Sequence, residues 1–115
     1  MIETQEATYE FYRGDTYVRH FRINEEVDQV YFTVKNDSSE KHPIIKKKIG
    51  DGIYLVDKGE DGYLYSLTIT SNDTDKLSIG DYNFDFEIVK GNIRLTPMVG
   101  TISLSEDYTR KRDEY

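Results

Sequence analysis

Apolar and polar residues alternate with a period of two over much of the chain. Val30, Phe32 and Val34 stand between Tyr31, Thr33 and Lys35. Tyr63, Tyr65, Leu67 and Ile69 alternate with Leu64, Ser66, Thr68 and Thr70, and Tyr82, Phe84, Phe86 and Ile88 with Asn83, Asp85 and Glu87. Extended backbone sends successive side chains to opposite faces, so each run predicts a strand with one buried face. Tyr9 to Tyr12 and Tyr17 to Ile23 are strand-like and are broken by Gly14-Asp15. Between Ser71 and Ser78 only Leu77 is apolar, which predicts one helical turn capped by Ser71 or Asn72.

The turn signals set the strand pairing. Gly91-Asn92 predicts a two-residue turn that puts Ile88 opposite Leu95, Phe86 opposite Pro97 and Phe84 opposite Val99. Beyond Val99 the apolar positions shift to Ile102 and Leu104, which predicts a β-bulge near Gly100. Pro97 lacks an N–H, so its strand is an edge or is interrupted there. Gly50-Asp51-Gly52, between Ile44–Ile49 and Ile53–Val56, predicts a hairpin of either register, and Asp57 to Gly62 a further turn. Seven to eight short strands result. The predicted fold is all-β, an antiparallel two-sheet sandwich of immunoglobulin-like type, with a small barrel as the alternative. Residues 1–8 form an N-terminal arm, 9–104 the β-sandwich domain and 105–115 a C-terminal tail.

Composition agrees. Ile, Val, Thr, Tyr and Phe make up 43 of 115 residues while Ala occurs once, which disfavours helical bundles and coiled coils. With no cysteine, the core must hold the fold without disulfides or thiolate zinc. The acidic start, Met1 to Glu6, is unlike a signal peptide, and no apolar run reaches membrane-spanning length; a protein made in a cytoplasm and not secreted is expected. The net charge of −7 lacks the concentrated basic footprint of a nucleic-acid surface. Lys46-Lys47-Lys48 is the local exception, expected as a solvated strand edge.

Few residues suggest chemistry. His20 and His42 belong to no nucleophile or metal motif, and His20 is expected at the surface. Asp85 and Glu87 share a strand face at about 6.6 Å, a spacing that overlaps that of inverting glycosidases, but among polar neighbours they read as a solvated face. Asp57 to Gly62 begins like a calcium loop, but Gly59 and Thr68 occupy the third and twelfth positions, so a hairpin loop is expected. Arg13-Gly14-Asp15 and the sequons at Asn36 and Asn72 need an extracellular chain to matter. No cofactor and no metal are expected.

Gly14-Asp15-Thr16 opens a strand running to Phe21 and Ile23, and Val30 to Lys35 follows. Leu67 to Thr70, Asp73 to Leu77, Gly80 to Phe86, Gly100 to Leu104 and Glu106 to Thr109 complete the order. This order resembles small immunoglobulin-like proteins of phages and prophages of Gram-positive hosts, and is similar to the N-terminal domain of baseplate upper proteins. It spans about residues 13 to 109. The long fibre regions of those proteins have no counterpart here, and segment 36–49 matches no feature of theirs.

The resemblance implies a non-enzymatic structural or adaptor component of a virion, assembled in the host bacterial cytoplasm. It would attach at the tail or baseplate or decorate the head. Its partners would be phage structural proteins or further copies of itself, with neither nucleic acid nor membrane. Tyr12, Tyr31 and Tyr54, with Tyr108 and Arg110 in the tail, are the candidate interface residues, because tyrosines beyond the needs of the core favour protein contacts. The alternative is a carbohydrate-binding sandwich that stacks exposed tyrosines on a host-surface glycan.

Overall fold

The structure, a computed structural model, describes residues 5–36 and 43–106. Eight strands follow in chain order: β1 (Gln5–Tyr12), β2 (Tyr17–Ile23), β3 (Gln29–Lys35), β4 (Ile45–Ile49), β5 (Gly52–Gly59), β6 (Gly62–Ile69), β7 (Gly80–Lys90) and β8 (Ile93–Ser105). A short helix, α1 (Ser71–Asp75), links β6 to β7. The fold is all-β. Backbone hydrogen bonds join the strands in the order β1-β8-β7-β3-β4-β5-β6-β2, and this sheet curls into a half-barrel.

The two ends of the sheet meet across the core. The Phe11 ring of β1 stacks on Tyr17 of β2 at 4.0 Å between centroids, and Phe21 of β2 packs edge-on against Phe86 of β7 at 5.3 Å. The alternating faces close between them, with Val30, Phe32 and Val34 of β3, Ile53 of β5, Ile69 of β6 and Leu104 of β8 fully buried. Burying these side chains is the main force that holds the fold.

Three pairings differ from expectation. First, not all neighbours are antiparallel: β1 runs parallel to β8, and β4 parallel to β5. Residues 5–8, assigned to the arm by their lack of periodicity, extend β1, with Glu6 beside Val99 and Ala7 beside Gly100. Second, Gly50-Asp51-Gly52 does not make a hairpin. Gly50 and Gly52 both take positive φ, and Lys48 and Asp51 exchange two backbone hydrogen bonds. The chain therefore jogs sideways and continues in its former direction, pairing Lys48 with Gly52 and Ile49 with Ile53. This link makes one hydrogen-bonded sheet where two were expected. The Asp57–Gly62 segment, by contrast, does hold a hairpin turn, narrowed to Glu60-Asp61 between Gly59 of β5 and Gly62 of β6.

Third, the β7–β8 hairpin keeps Ile88 opposite Leu95 but shifts register by one residue before Phe86. Phe86 faces Met98 and Phe84 faces Gly100, rather than Pro97 and Val99. The bulge sits at Thr96–Pro97, not near Gly100. Pro97 has no N–H for the ladder, so the interruption falls where a ladder hydrogen bond would be lost in any case. Ile102 and Leu104 thereby join the core.

Gly100 of β8 is crowded by both of its neighbouring strands, β1 and β7. A Cβ there would overlap the Ala7 carbonyl oxygen and meet the Phe84 ring at 2.7 Å.

At one end of the molecule, α1 is fastened from several sides. Its N-cap is Thr70, one residue before the predicted cap, in a reciprocal capping box with Asp73. Lys47 of β4 points to the inner side and forms a 2.8 Å ion pair with Asp73. Buried Thr74 accepts the Gly14 amide proton at 2.8 Å. Arg13 donates to the Leu77 carbonyl oxygen and pairs with Glu106 at 3.2 Å. At the start of β7 the Tyr82 hydroxyl donates to the Ser78 carbonyl oxygen at 2.6 Å.

Two predictions follow from this packing. Gly100→Ala should cost about 1–3 kcal/mol in urea unfolding, whereas Gly59→Ala, with open space and no positive φ, should change stability by less than about 0.5 kcal/mol. The second concerns acid. Burial alone would raise the Asp73 carboxyl, but Lys47 and Thr70 outweigh it and hold it below its ordinary value. The stability this contributes is complete above the ordinary carboxylate range and is lost as pH falls through the depressed value. Asp73→Asn should therefore lower the melting temperature near pH 7 and flatten its decline below about pH 4.

Candidate functional site

Strand alternation turns every second side chain of β4, β3, β7, β8 and β1 away from the core, and register aligns them in rows. One row crosses all five strands. Lys46 stands beside Thr33, Thr33 beside Asp85, Asp85 beside Val99, and Val99 beside Glu6. The last four, with Lys35, Asn83 and Thr101, line an open depression of about 670 Å³. In the adjoining row Tyr31 lies between Lys48 and Glu87. The Lys46 ammonium sits over the Tyr31 ring, 5.5 Å from its centroid, a cation–π contact. The lysine run is therefore split by the pleat: Lys46 and Lys48 are exposed on this face, and Lys47 is turned to Asp73.

The two carboxylates on β7 have different surroundings. Glu87 is paired with Arg94 across the hairpin. Asp85 is half-buried in the depression; burial, and then the neighbouring Glu87, push its carboxyl above its usual range, with Lys35 opposing.

A second feature lies on β5. This strand outruns β4, so among the described residues its only hydrogen-bonded neighbour beyond Ile53 is β6. Tyr54, Leu55 and Val56 follow there in succession, 52%, 47% and 54% exposed, with a bulge between Leu55 and Asp57. Natural sheets usually cover or charge such an edge, and here three apolar residues precede the first charge.

The candidate interface residues are not brought together. Tyr12, Tyr31 and Tyr54 lie on β1, β3 and β5, none of which are neighbours in the sheet. Tyr12 and Tyr54 are exposed, while Tyr31 is half-buried beneath Lys46. Tyr108, Arg110 and His42 lie outside the described residues. His20 is exposed on β2 as expected, and Arg13 of the Arg-Gly-Asp tripeptide is engaged with Leu77 and Glu106. Among the described residues no three His, Asp or Glu side chains form a group able to hold a metal. Leu55, Val56 and Glu6 were missed as surface features, and Lys46 was expected at a solvated edge but not as part of this face. The unbroken apolar run 54–56 was the available signal for the first two; the others become neighbours of the face only through register.

No protein-family model and no curated protein matches this chain.

Because the folded state holds the Asp85 carboxyl above its unfolded value, ionising it costs stability as pH rises through that raised value. Asp85→Asn should raise the melting temperature near pH 7 and leave it unchanged at about pH 3, where both states hold the proton.

Proposed function

We propose that this protein is a non-catalytic structural or adaptor component of a phage or prophage particle, acting through protein–protein contacts. The observation that carries this reading is the β5 edge, where Tyr54, Leu55 and Val56 are exposed in succession and no strand among the described residues pairs beyond β6. Such an edge is suited to receive an extended segment of a neighbouring structural protein as an added strand. The backbone would supply affinity and the alternate side chains specificity.

The family resemblance of residues 13 to 109 supplies the particle, with assembly in the host cytoplasm. We further propose that the curled sheet is an immunoglobulin-like sandwich. Its sheets would be β1-β8-β7-β3-β4 and β5-β6-β2, linked at the corner where β4 passes into β5. The strand order supports this, as does the Tyr82 hydroxyl bonded to the carbonyl four residues upstream at the start of β7, the arrangement of a tyrosine corner.

The test is mass spectrometry of particles purified from a producing bacterium, combined with pull-down by the tagged chain. The protein should be found in particles, and Leu55→Lys should weaken capture of the neighbouring protein about tenfold or more. Absence from particles, together with saturable oligosaccharide binding abolished by Tyr54→Ala, would overturn this reading in favour of the carbohydrate-binding one.

A further inference from the structure

We propose that the outer face of β4-β3-β7-β8-β1 docks a second copy of this chain, face to face, about a two-fold axis that lies between the two faces, parallel to the strands and over β7. The inference rests on the protein-contact reading above and names a partner for it.

The cross-strand row is the reason. In order it reads Lys46, Thr33, Asp85, Val99, Glu6, with a cation at one end, an anion at the other, and its middle residue on the middle strand of the five. At the usual strand spacing the row is about 19 Å long. A two-fold axis along β7 reverses the row without moving it along the strands. Lys46 of each copy then faces Glu6 of the other, and Thr33 faces Val99, so both ends of the row are charge-complementary. The same operation brings the Tyr31 strand over β8 of the second copy, which gives that half-buried tyrosine a partner surface. An interface of this kind is isologous and closes as a dimer.

The state of the two end charges agrees. Among the described residues Glu6 has no ion pair, and Lys46 rests only on the Tyr31 ring. By contrast, Lys47 on β4 and Glu87 on β7 already have partners within their own chain. The two Asp85 carboxylates would face each other on the axis, a like-charge contact, and so would the two Glu87 carboxylates, each of which carries its own Arg94 partner. The open depression around Asp85 leaves room for water there, so the cost is moderated but not removed.

Charge reversal provides the test, read by sedimentation equilibrium of the full chain in low salt. Lys46→Glu and Glu6→Lys, each alone, create two like-charge contacts per dimer and should each weaken self-association about tenfold or more. An equimolar mixture of the two variants restores both attractive contacts, so it should form a one-to-one heterodimer with a dissociation constant within about threefold of the wild type. Asp85→Asn should tighten the homodimer. Both reversals lie on exposed side chains, and unchanged melting temperatures would exclude misfolding as the cause of a loss.

A wild-type chain still monomeric at about 1 mM, single variants that associate like the wild type, or a mixture that stays monomeric would each overturn the proposal. So would loosening by Asp85→Asn. Capture of a particle protein through β5 alongside monomeric mixtures would remove the dimer and leave the protein-contact reading intact. A charge-swapped heterodimer with no capture would do the reverse.

Discussion

Closure of the curled sheet across its aromatic core is the constraint on which the rest of the structure depends. A sheet of eight strands has two free ends, and here they come together through ring stacking instead of backbone hydrogen bonds. Phe11 on Tyr17, and Tyr9 beneath the Arg19 guanidinium 5.4 Å from its ring centroid, form the seam between β1 and β2. The Tyr17 hydroxyl also accepts the Tyr12 amide proton at 2.5 Å. Only with that seam shut are the inner faces of β3, β6 and β7 removed from water. In a chain without disulfides this burial has to offset the conformational entropy of ordering the strands.

The outer surfaces inherit their character from this arrangement. Because β7 packs Tyr82 and Phe84 inward, Asn83, Asp85 and Glu87 are committed to the opposite face, whatever that face is used for. Because the jog at Gly50–Gly52 releases β5 from β4 after two residue pairs, no strand among the described residues covers the apolar run 54–56. The exposed edge and the charged row are thus products of one sheet geometry, and they lie on different strands, β5 and β4-β3-β7-β8-β1.

The fastening of α1 shows a different balance of forces. Lys47–Asp73, Arg13–Glu106 and the Thr74–Gly14 hydrogen bond join β4, the β1–β2 turn and the end of β8 to one helical turn. Five residues of helix are too short to be stable by themselves. The capping box and the partly buried ion pair give α1 its definition, and α1 in turn sets where β7 begins.

What the sequence determined by itself is local. Period-two alternation specified β3, β6 and β7 and the inward sides of Phe32, Leu67 and Phe84, since the pleat dictates which residues share a face. It also specified the Glu60-Asp61 hairpin and the existence of a helical turn after Thr70, because turn and cap chemistry act within a few residues. Strand partnership, register and direction were decided by the tertiary structure. Nothing near Gln5 announces that it runs parallel to residues over ninety positions away. A double-glycine turn reads the same whether it reverses the chain or only displaces it. Pro97 announced an edge or an interruption, but the register of the whole β7–β8 ladder decided that the bulge sits there. Such choices rest on the balance of core burial against loop-closure entropy over the whole chain. Glu6, Asp85 and Lys46 therefore became one row only when that balance was struck.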